Sequence, residues 1–195
     1  MIGAVYLDWG HLGQPPRPNS LGGQFEDLTE AIEIGAYLTA IVRACYRRKI
    51  FVMVDGFGVY ESRQRRGIQF AKGYGGKVVY AACHLNMFPG DTTIRQRVGF
   101  VYDARSGSGS RVAADLAAAF QDAPYASVKR AIPCTSDDWT RNALYCIREI
   151  YAGPDNIAGV TLEPLGLKGD PKPTPDMLAD VGERIADGLA AYFGS

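Results

Sequence analysis

Short runs of β-branched and aromatic residues alternate along this chain with longer segments whose apolar positions recur every three or four residues. The runs IGAVYLD (2–8), IFVMVD (50–55), KVVYAAC (77–83), VGFVYD (98–103) and AGVTLE (158–163) predict strands. Helices are predicted near 26–48, 61–73, 109–121, 138–151 and 175–193. Alternation of this kind is the signature of an α/β domain with a largely parallel sheet.

The last helix carries the clearest boundary signals. Thr174 stands at the N-cap, Pro175 at the first helical position and Asp176 in the first turn, ahead of an apolar face of Leu178, Val181, Ile185, Leu189 and Tyr192. Such a helix is expected to cover the sheet. Residues 13–24, 104–110 and 164–173 hold too much Pro, Gly and Ser to continue a helix or strand and read as loops. None divides the chain into pieces large enough to fold separately, so residues 1–195 are expected to form a single domain.

Composition narrows the partners. The formal charge is zero, and the clusters Arg43, Arg47, Arg48, Lys49 and Arg63, Arg65, Arg66 are interspersed with acids. Nucleic acid is therefore not an expected partner, because affinity for it is built from many phosphate contacts. No apolar run of about 18 residues occurs, and MIGAVYLDWG lacks the basic and long apolar regions of a secretion signal. The chain is accordingly expected to be made in the cytoplasm, with no membrane partner. The four cysteines, Cys45, Cys83, Cys134 and Cys146, form no CxxC pair and sit mostly inside apolar patterns. They read as buried free thiols, with a Cys134–Cys146 disulfide as the alternative.

Only two histidines occur, and both fall where a parallel sheet collects functional groups, beyond the carboxyl ends of its strands. His11 follows the first predicted strand in VYLDWGHLG, His84 closes the third, and Glu163 closes the last. Glu26 opens the first long helix, which must start at the same edge. Two imidazoles and a carboxylate around an open fourth position make a catalytic zinc site, whereas a structural site fills all four positions with protein. Taken singly, His11 reads more readily as a loop histidine bonded locally and His84 as a satisfied strand end; together, as the two histidines of the chain at one sheet edge, they favour the metal. Adjacent strand residues face opposite ways, so His84 is preferred over Cys83 as a ligand, with Cys83 in the core. Asp8 could support a ligand through a hydrogen bond or simply cap the turn.

The order of short motifs resembles one family. DWGHLG is similar to the Asp-Pro-Gly-His-Gly-Gly element of the zinc-dependent N-acetylmuramoyl-L-alanine amidases of bacteria and phages. GGQFEDL resembles their glycine-led Glu segment, AACHLNM their Ser-Ile-His-Ala-Asn with Asn86 as the asparagine, and VTLEPLGL their Leu-Val-Glu-x-Gly-Phe. DVGERIADGLAAYF looks like the helix that ends those domains. The resemblance implies a mainly parallel central sheet of about five or six strands with helices on both faces. It also implies that His11, Glu26 and His84 bind Zn2+, that Glu163 is the catalytic carboxylate, and that peptidoglycan is the substrate.

Departures are Trp9 in place of proline, Leu12 in place of the first glycine after the histidine, and Lys72 where asparagine is usual. Residues 122–157 match no family element, and their Trp139, Tyr145 and Tyr151 either line a substrate groove or pack. Two further readings stay open: a zinc amidohydrolase or peptidase acting on a small acyl-amino acid or stem peptide, and a non-catalytic relative that binds cell wall. As an enzyme without a secretion signal, the chain is expected to be a phage or prophage lysin released to the wall through a holin, with a catalytic piece of a longer exported protein as the alternative.

Overall fold

The computed structural model describes residues 2–10, 12, 24–85, 96–135, 146–166 and 172–195, without the side chains of 24–30 and 96. Strands β1 (Ala4–Trp9), β2 (Phe51–Asp55), β3 (Val78–Cys83), β4 (Gln96–Asp103), β5 (Ala126–Cys134) and β6 (Ile157–Glu163) form one sheet in the order β2-β1-β3-β6-β4-β5. Helices α1 (Gln24–Arg47), α3 (Gly107–Ala119) and α4 (Pro175–Gly194) cover one face, and α2 (Tyr60–Tyr74) lies on the other. The expected α/β architecture is thus present.

β1, β2, β3 and β6 are parallel, whereas β4 runs antiparallel to β6 and parallel to β5. The chain leaves β3 at Cys83 and enters β4 at Gln96, on the far side of β6 and in the reversed direction.

β5 is not among the strands the hydrophobic pattern predicts. Its sequence, ASVKRAIPC, lacks clean alternation because it is an edge strand, with Ser127, Val128, Arg130 and Pro133 exposed. Charges and a proline suit an edge, where they oppose pairing with another chain, but they hide the strand from a hydrophobic pattern. The helix expected at 138–151 falls partly outside the described residues. Its described residues form turns and a single 3-10 turn at Ile150–Ala152. α3 starts inside the expected 104–110 loop, because the Ser106 side chain accepts from the Gly109 amide at 2.9 Å and caps a glycine-rich first turn.

The core follows the predicted pattern. At α4, Thr174 accepts from the Met177 amide, and Val181, Ile185 and Leu189 are fully buried. α4 crosses α1 at Gly182, where a Cβ would stand 2.5 Å from the carbonyl carbon of Ala40 and 2.7 Å from its oxygen. Any side chain at that crossing must force the helices away from each other. Gly182→Ala should therefore destabilise the domain by about 3 kcal/mol or more. Thermal melting is the check, with a fall of roughly 6 °C expected; an unchanged midpoint would show that the helices separate without cost. All four cysteines are free and buried, as the sequence pattern suggests.

Candidate active site

The site is assembled where β1, β3 and β6 end. In the β3–β6 ladder Cys83 pairs with Leu162, so the next residues on each strand, His84 and Glu163, stand level on neighbouring strands. The main chain of His84 is held from both sides: its amide donates to the Leu162 carbonyl at 2.9 Å, and its carbonyl accepts from the Tyr37 hydroxyl of α1 at 3.0 Å. His84 is nearly buried and Glu163 half-buried, so the edge between them opens toward solvent on the Glu163 side. Across β6, Gly99 of β4 faces Glu163 in the antiparallel register. A glycine there adds no side chain beside the carboxylate.

Cys83 is fully buried in the core on the α1 side, where burial pushes its thiol well above the ordinary range. Alternation therefore points His84 to the opposite face from Cys83, which lies in the core as expected.

His11 and the side chain of Glu26 lie outside the described residues, but their flanks converge on this edge. The Gly10 amide donates to the Cys83 carbonyl at 3.1 Å, and the Gly10 backbone runs against the His84 ring. A Cβ at Gly10 would stand 3.0 Å from both Cε1 and Nε2 of that ring and 2.2 Å from the Cys83 oxygen. The residue after Gly10 is His11. Trp9, the departure from proline, donates from its indole to the Ala31 carbonyl of α1 at 2.7 Å, and its ring packs over Gly35. Ala31 lies about one and a half turns past Glu26, so one indole ties the loop of His11 to the helix end of Glu26. Leu12, the second departure, packs on Gly56 just after β2. The chain is anchored on each side of His11.

Asp8, read from the sequence as a ligand support or a turn cap, engages Arg63 and Tyr80. It is fully buried, paired with an equally buried Arg63 at 2.7 Å, and it accepts from the Tyr80 hydroxyl. Burial pushes its carboxyl up to about 6, opposed by the Arg63 guanidinium and the Tyr80 hydroxyl. The same guanidinium donates to the Trp9 carbonyl. Arg63, Tyr60, Tyr37 and Gly10 are absent from the sequence-derived set of site residues. Only Gly10, placed between a strand end and a histidine, carried a visible signal.

A metal fits what is described. Imidazole and carboxylate suit a borderline cation such as zinc, and the Nε2 atom of His84 is buried against the backbone of Gly10, the residue before His11. Among the described residues alone, no three His, Cys, Asp or Glu side chains cluster to hold a metal.

A cavity of about 190 Å³ lies at the other edge of the sheet, lined by Asp103, Arg105, Ser106 and Ile157 among others. Because β4 is reversed, Asp103 ends level with the beginning of β6, far from Glu163. Tyr151 belongs to that remote edge, with the Arg105 guanidinium 4.3 Å over its ring. Of the aromatic residues expected in a groove or in packing, Tyr151 is exposed and lines this remote cavity, and Trp139 and Tyr145 lie outside the described residues.

No family model and no curated protein matches the chain. Solved structures do. AmiC2, an N-acetylmuramoyl-L-alanine amidase of Nostoc punctiforme, is 16% identical, with 100% of this chain and 99% of that one covered at a TM-score of 0.67. The CwlD amidase from Clostridioides difficile, solved in complex with the GerS lipoprotein, is 13% identical with 98% of each chain covered at 0.64. The catalytic domain of CwlV, an N-acetylmuramoyl-L-alanine amidase from Bacillus (Paenibacillus) polymyxa var. colistinus, is 16% identical with 98% of each covered at 0.61. At these identities the likeness is one of fold, and it extends over the whole chain.

Proposed function

We propose that this chain, which has the fold of N-acetylmuramoyl-L-alanine amidases, hydrolyses the amide bond between N-acetylmuramic acid and L-alanine in peptidoglycan. The observation that carries the reading is the level placement of His84 and Glu163 on adjacent strand ends, with the backbone of Gly10, the residue before His11, against the His84 ring.

His11, Glu26 and His84 would hold the metal. Zinc, when bound, supplies a Lewis acid that polarises the amide carbonyl and makes water more acidic. Glu163 takes a proton from the water that attacks the lactyl carbonyl carbon. The C–N bond then breaks, and Glu163 returns the proton to the departing L-alanine amine. The products are the muramic acid carboxyl and a stem peptide with a free amino terminus. One carboxylate can act as base and then as acid because it stands beside the reacting edge, half open to solvent.

The test is digestion of isolated peptidoglycan, with mass spectrometry of the released fragments and a chelated control. Stem peptides beginning with free L-alanine, absent after chelation, are expected. Intact wall from a zinc-loaded protein would instead favour a zinc amidohydrolase or peptidase of small amides. We assign the activity to a phage or prophage lysin; cells expressing the chain should lyse only when a holin is co-expressed, and lysis without one would overturn that role.

A further inference from the structure

Beneath the candidate site lies a guanidinium that the proposed chemistry does not use. Arg63 is wholly buried, and burying a cation costs several kcal/mol even when it is paired. Its contacts account for its retention. Besides Asp8, it touches the carbonyl of Trp9, two residues before His11. Its Cζ also lies 4.6 Å from the centre of the Tyr60 ring. That ring is in turn 5.7 Å from the imidazole of His84, tilted by 36°. Guanidinium, phenol ring and imidazole thus form one column rising from the sheet interior to the site edge.

The main-chain bonds of His84 fix where its ring starts but not how the ring is turned, because the terminal torsion of a histidine is broad and roughly two-fold. The ring meets the Gly10 backbone on its Cε1–Nε2 edge and the Tyr60 ring beside it. Tyr60 is half-buried at the start of α2, and the planar, fully buried guanidinium sets its position from below.

We infer that Tyr60 and Arg63 are positioning residues. Tyr60 sets the plane of the His84 imidazole, and Arg63 holds both the Tyr60 ring and the Trp9 carbonyl, so that the His84 imidazole is aimed before a metal arrives. This inference rests on the metal reading above. Preorganisation of this kind strengthens binding by removing the ordering cost that a loose ring would add.

The experiment compares zinc affinity of the metal-free wild-type chain, Tyr60→Leu, Tyr60→Phe and Arg63→Lys by competition with a chromophoric chelator, and melts the same samples. Tyr60→Leu should weaken zinc binding by about 10-fold or more, as losing the support of a metal ligand typically does, while its metal-free melting temperature stays within a few degrees of wild type. Tyr60→Phe keeps the ring and should bind as wild type does. Arg63→Lys keeps the charge but loses the planar fork, and should weaken zinc binding as well. Wild-type affinity in Tyr60→Leu would overturn the inference. So would an equal loss in the Phe and Leu variants, which would assign the effect to the hydroxyl. Failure of the wild-type chain itself to bind zinc would overturn the metal reading, and the inference with it, before any variant is compared.

Discussion

Glu163→Gln should reduce peptidoglycan hydrolysis by about 10³-fold or more while leaving the fold and zinc binding intact. The expectation follows from three features. Glu163 ends β6 level with His84, so its carboxylate stands at the reacting edge. It is half-buried, so exchanging an oxygen for an amide nitrogen leaves no deeply buried charge unpaired. The amide has nearly the same shape but cannot accept a proton and return it to the leaving amine. The loss should appear in kcat, with KM little changed, because the interaction removed belongs to the transition state. Turnover close to wild type would remove Glu163 from the mechanism. A parallel loss of zinc would make it a ligand instead.

Gly10→Ala is the second large effect. None of the non-glycine rules of backbone conformation forbids alanine there, since Gly10 is not among the residues with positive φ. The obstacle is contact. The new methyl carbon would lie 2.2 Å from the Cys83 carbonyl oxygen and 3.0 Å from two atoms of the His84 ring. The strand carbonyl cannot move without breaking the β-ladder, so the loop must lift or the imidazole must turn. Either displaces His84 relative to His11, and a misplacement of about 1 Å at a reacting centre can cost about 10²-fold in rate. We expect hydrolysis to fall by at least that factor and zinc affinity to fall with it, measured on protein whose melting confirms that it is folded. Unimpaired zinc binding and turnover would show that the two histidines do not act together across Gly10.

The alternation of strand runs and helical segments announced an α/β sheet, and the caps and apolar face of the last helix were legible down to Thr174 and Val181. These features depend on short-range sequence order, which is why they could be read. His84 and Glu163 were legible for the same reason: each ends a strongly hydrophobic run, and a parallel sheet places such ends along one edge. β5 was not legible, because an edge strand carrying Lys129, Arg130 and Pro133 shares little with a buried one.

Sequence alone therefore determined the class of fold, the strand ends that carry the candidate chemistry, and the place of Cys83 in the core. Tertiary structure decided the rest: the reversal of β4, the remoteness of Tyr151 from Glu163, the clamp of Trp9 on α1, and the buried Asp8–Arg63 pair under the site. These depend on which residues meet across more than 20 positions of chain, as Trp9 meets Ala31 and Arg63 meets Asp8. No local propensity encodes such meetings. They are set when the helices dock on the sheet, and a buried guanidinium has a use only once that docking has brought a carboxylate, a carbonyl and an aromatic ring within its reach.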